Sequence, residues 1–128
     1  MNLKKIIKGS LKKYINEGLG DKWVNGAVTV TLKQLLYLTK DTPIKNIPTQ
    51  KLSKIVLNWD GNTDEIEKIE KSDLQYPVLI IVNDNNQFKY ILDGNHRVQK
   101  SIKHNLPYVK SKLIKISELP KNFQYVLS

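Results

Sequence analysis

Asp93, Asn95, His96 and Arg97 surround one glycine, Gly94, where the apolar stretch Tyr90-Ile91-Leu92 gives way to a helical pattern running to His104. A glycine between a strand and a helix lets the backbone come close to a ligand. The first turn of a helix presents N–H groups without intrahelical partners, at the positive end of the macrodipole. Together these features make an anion site, suited above all to phosphate. Arg97 and His96 add side-chain donors. Asp93 adds a carboxylate suited to a divalent cation such as Mg²⁺ or to a sugar hydroxyl. The same turn also serves proteins as a plain strand–helix connection with the aspartate as cap, so two readings stay open on these residues alone.

Charge points the same way. The chain of 128 residues carries 21 Lys and Arg against 12 Asp and Glu, a formal net charge of +9, and Arg97 is its one arginine. Basic chains attract polyanions. Lysine serves as a general solubilising charge, whereas gripping a phosphate at two points calls for the planar fork of arginine. Lys100, Lys103, Lys110, Lys112 and Lys115 follow the turn closely and suit a nucleic-acid backbone. Cysteine is absent, which excludes a disulfide framework, a thiol nucleophile and a Cys-based zinc site. Two histidines, His96 and His104, exclude a His-rich metal site. No apolar run reaches the roughly 18 residues of a membrane-spanning helix. The start, Met1 to Lys8, resembles a signal peptide until Lys8, Lys12 and Lys13 interrupt it, so the expected location is cytoplasmic, with no membrane partner.

The size predicts one core. Leu3, Ile6, Ile7, Leu11, Tyr14, Ile15 and Leu19 form one stripe at helical spacing and predict an amphipathic helix over 3–19. Residues 21–30 read as a loop containing Trp23 and a short extended piece at 27–30. Thr31 is a cap for a helix over 32–39. Residues 1–43 are therefore expected to form a helical extension packed on a domain spanning 44–128. In that domain, Ile47-Pro48 reads as extended, 49–54 as a helical turn, and 63–72 as an acidic helix capped by Thr63. The apolar run 76–82 and the stretch 88–92, joined by Asn83-Asp84-Asn85-Asn86, predict a hairpin. A helix over 95–104, a strand over 108–116 and a short helix or turn after Ser117 complete the α/β pattern.

The span from Ile47 to Ile116 resembles the ParB/sulfiredoxin superfamily, on Ile47-Pro48, Leu52, Tyr76-Pro77-Val78-Leu79-Ile80, the turn Asp93-Gly94-Asn95-His96-Arg97 with its preceding strand, and Val109 to Ile114. The resemblance covers about 70 residues, by the numbering of that span. It implies a small mixed sheet with flanking helices and a turn that binds nucleotide phosphates through Asp93, Gly94, Asn95, His96 and Arg97. Sulfiredoxins carry a catalytic cysteine in this turn. Here the position is Asn95, which excludes sulfinic acid repair. The turn is most similar to the Asp-Gly-His-His-Arg pattern of free serine kinases in the same superfamily, with Asn95 at the first His. That similarity implies a kinase-like phosphotransferase or ATPase: Asp60 as base, Arg97, His96 and the helix N-terminus on the phosphates, and a nucleoside triphosphate with Mg²⁺ at Asp93. Two alternatives remain. One is a DNA-binding or ParB-like nuclease module of phage or mobile-element origin, with Lys100, Lys103, Lys110 and Lys112 on nucleic acid. The other is a non-catalytic inhibitor acting through protein interaction.

Overall fold

The structure, a computed structural model, describes residues 21–57 and 63–128, with no account of the side chains of Thr63 and Asp64. The expected helix over 3–19, the candidate base Asp60 and the capping side chain of Thr63 lie outside what is described. The fold is mixed α/β, with a two-stranded and a four-stranded sheet among the described residues.

The larger sheet is built from β3 (Lys45–Pro48), β4 (Val78–Val82), β5 (Phe88–Asp93) and β6 (Tyr108–Lys115), in the order β3-β6-β4-β5. β4 runs parallel to β6, and the outer pairs are antiparallel. Every residue of β4 is buried, as its unbroken run Val-Leu-Ile-Ile-Val requires of a strand covered on both faces. Its side chains alternate. Val78, Ile80 and Val82 join Leu52, Ile91, Val98 and Val109 in one apolar cluster, while Leu79 and Ile81 join Trp23, Leu35, Phe123 and Leu127 in the other. The fold is thus three-layered. The short helix α2 (Thr49–Leu52) and the helix α4 (Asn95–Lys103) cover the first face. The hairpin β1 (Lys22–Asn25) and β2 (Val28–Thr31), with helices α1 (Leu32–Leu38) and α5 (Lys121–Leu127), covers the second. Helix α3 (Thr63–Lys71) lies against α4.

The segment before α1 differs from the expectation. Residues 21–31 are not a loop with one extended piece but a hairpin, with Trp23 directly opposite Val30 and both buried. Gly26, at φ +62°, opens its two-residue connection, as a type II′ turn demands of its first central residue. The described part of 1–43 is consequently a strand hairpin followed by a helix, and it shares a core with the central strand β4. The short helix or turn expected after Ser117 is a seven-residue helix, with Phe123, Val126 and Leu127 buried against that same core. Other elements follow the sequence pattern. Thr31 caps α1 in a full capping box: its hydroxyl accepts from the Gln34 N–H at 3.1 Å, and the Gln34 side chain accepts from the Thr31 N–H at 2.9 Å.

Candidate functional site

The turn at 93–97 joins β5 to α4, at the end of the sheet where β4 and β6 begin. Gly94 adopts φ +110°, a conformation that side chains oppose. A Cβ there would lie 2.9 Å from Val78 Cγ2 and 3.0 Å from Arg97 Nη2. The close approach is therefore made by the protein's own guanidinium. Arg97 folds back beneath Gly94, donates from Nη2 to Asp93 Oδ2 at 2.8 Å and from Nη1 to the Pro77 carbonyl at 3.4 Å, and is 4 % exposed. Burial pushes the Asp93 carboxyl above its ordinary value, and the guanidinium pulls it back only in part. This pair braces the strand–helix corner from within.

His96 faces the opposite partner. Its Nε2 lies 2.9 Å from Glu65 Oε2 on α3, with both residues buried. Burial holds the imidazole below its ordinary pKa, against the upward pull of Glu65. At Glu65, burial pushes upward, but the hydrogen bonds and charges of His96 and Lys68 hold the carboxyl below its ordinary value. At neutral pH the pair is thus a neutral imidazole donating from Nε2–H to a carboxylate, a geometry that fixes the ring and its tautomer. Glu65 is not singled out by the sequence, in which 63–72 reads only as an acidic helix. Pairing across 31 residues leaves no local signal.

Asn95 and Gln99, one turn apart on α4, hold both backbone polar groups of one residue outside the helix. The Leu57 N–H donates to Asn95 Oδ1 at 3.0 Å, and Gln99 Nε2 donates to the Leu57 carbonyl. These contacts fasten the chain just before residue 58 to the side of α4. Asn95 is fully buried, and its Nδ2 has no hydrogen-bond partner in the protein. Such a group is uncommon in a folded protein and costs about 1–3 kcal/mol when left unsatisfied.

Of the lysines suggested for nucleic acid, three hold the protein's own groups. Lys100 donates to the carbonyls of Glu70 at 2.7 Å and Ser72 at 3.0 Å, closing the C-terminal end of α3. Lys103 pairs with Glu70 at 2.8 Å, and Lys112 donates to the Thr39 carbonyl at 2.8 Å. Lys110 projects as an exposed residue of β6. No group of three or more acidic, histidine or cysteine side chains converges among the described residues, and Asp93 faces a guanidinium. The described residues therefore do not form a Mg²⁺ site of their own, and Asp93 does not fit the role of metal ligand.

What the site provides is the start of a nine-residue helix, enclosed on one side by Leu57 and Glu65, with two buried acid–base pairs and one buried amide donor to spare. The class of protein is thus a mixed α/β domain with a polar, buried strand–helix corner. No protein-family model, curated protein or solved structure matches the chain. No helix among the described residues is long and apolar enough to cross a membrane.

Proposed function

We propose that this protein binds a nucleotide through its phosphates at the first turn of α4, in the manner its resemblance to the ParB/sulfiredoxin superfamily implies. The observation that carries the reading is Asn95 Nδ2, a fully buried donor without a protein acceptor, placed in the first turn of a helix. A phosphate oxygen would satisfy it where the macrodipole favours negative charge. The buried Asp93–Arg97 ion pair and the buried Glu65 carboxylate held by His96 support the same reading. Taking charges out of water is costly, and such arrangements cluster where a protein recognises or transforms a ligand. Arg97 then has a different role from the one its type suggests: paired with Asp93, it shapes the corner that carries the helix start. Mg²⁺ enters as a counter-ion carried by the triphosphate, since this cation keeps its waters and phosphate ligands readily.

The test is a thermal-shift series on the full chain with ATP, CTP, GTP and inorganic tripolyphosphate, each with and without Mg²⁺. A ligand that binds only the folded form raises the melting temperature in proportion to ln(1 + [L]/Kd). Asn95→Asp keeps an oxygen for the Leu57 N–H while replacing the spare donor with a negative oxygen. The expected result is a saturable rise in the wild type and none in Asn95→Asp, with far-UV circular dichroism showing both folded before ligand is added. A wild type indifferent to every phosphate compound overturns the reading.

A further inference from the structure

A second recessed surface lies on the other side of α4. Two residues along a helix turn about 200° around its axis, so Arg97 points away from the side that Asn95 presents to Leu57. Arg97 there lines a cavity of about 200 Å³, walled by Val78 and Val109 and flanked by Tyr76, Tyr108 and Lys110. It is smaller than the roughly 300–1,000 Å³ typical of pockets for drug-sized ligands, and it suits a single planar ring system. Tyr76, just before β4, and Tyr108, the first residue of β6, are each 58 % exposed. They bring two aromatic rings from separate segments to one small apolar recess.

We propose that this slot receives one unpaired base of a single-stranded nucleic acid, stacked on the rings of Tyr76 and Tyr108, with Lys110 meeting the adjoining phosphate. Aromatic side chains take bases of any sequence by stacking, and basic side chains beside them follow the backbone. The charge fits: Lys110 is on the wall, Lys45 lies on the neighbouring strand β3 opposite Ser111, and the chain carries +9 overall. A duplex keeps its bases inside the stack and cannot supply the ring. This slot shares Arg97 with the turn but lies on the other side of α4 from the Asn95 amide, and it stands whether or not a nucleotide binds there.

The experiment is fluorescence anisotropy of a labelled oligothymidylate titrated with the full chain over a range of salt. The expected result is saturable binding that weakens with salt and prefers the single strand to a duplex of equal length. Tyr76→Ala and Tyr108→Ala should each weaken binding about tenfold and keep the salt slope, whereas the Phe replacements retain affinity. Lys110→Gln should reduce the log–log salt slope by about 0.7. Tyr37→Ala, at another exposed aromatic, should change nothing. Equal affinity for duplex, affinity unchanged in both tyrosine variants, no binding at all, or complete competition by free dTMP at the oligonucleotide's own concentration would each overturn the proposal. Both tyrosines are largely in solvent, so unchanged melting temperatures separate lost contacts from lost fold.

Discussion

Arg97→Ala is the most informative single change, because the structure assigns this residue to the interior. The substitution removes a guanidinium 2.8 Å from Asp93, in a pair whose side chains are each 4 % exposed. An enclosed carboxylate is left without its countercharge. Breaking a buried pair in this way costs about 3–5 kcal/mol, and the space vacated beside Gly94 and Val78 adds to the loss. Set against a total stability of about 5–15 kcal/mol, that is a large share. The stranded carboxyl can escape by taking up a proton. Its pKa is already pushed up by burial, and the variant lacks the cation that opposes that push. A carboxyl whose folded pKa lies above its ordinary value contributes stability that is complete below the ordinary value and is lost as pH rises through the folded one. The deficit should therefore be smallest near about pH 4.5 and grow toward about pH 8. Urea denaturation followed by circular dichroism at several pH values measures it, and adding Asp93→Asn to the variant should recover part of the loss. A deficit below about 1 kcal/mol at neutral pH, or one that grows on acidification, refutes the assignment of Arg97 to an internal brace.

Three further outcomes follow from neighbouring contacts. Gly94→Ala combines a φ of +110° with a Cβ only 2.9 Å from Val78 Cγ2, and should cost about 2 kcal/mol or more in urea denaturation. His96, with its folded pKa below the ordinary value, contributes stability that is present above about pH 6.5 and is lost as pH falls through the folded value. Melting temperature should accordingly drop on acidification from neutral pH, and His96→Gln should flatten that part of the curve. Lys100→Met removes two hydrogen bonds from the end of α3 and should cost about 1–2 kcal/mol in the same denaturation assay, even where no nucleic acid is present.

The pattern of the chain reveals the fold wherever an element reports its own environment. The unbroken run at 78–82 declares a strand buried on both faces, and Thr31 with Gln34 declares a helix start, because these signals are local. The hairpin at 22–31 has a local signal in Gly26-Ala27, a two-residue connection with glycine first, but Trp23 and Val30 reveal their pairing only across the turn. The C-terminal helix is short and lies between a proline and the chain end, so its periodicity is weak until Phe123, Val126 and Leu127 meet the core.

The corner at 93–97 shows what a local reading leaves out. Its glycine, its helix and its charged residues are all where the sequence puts them, yet their partners lie far off along the chain. Arg97 reaches Pro77 across 20 residues, His96 reaches Glu65 across 31, and Asn95 reaches Leu57 across 38. Donors that look available in a five-residue motif are largely claimed by these contacts. The chemistry left over therefore falls on a residue whose type carries no charge. Asn95 meets one demand with its oxygen and keeps its nitrogen in reserve, buried where an amide without a partner is costly. An anion at the helix start, as proposed above, is the group that both its hydrogens and the dipole would favour.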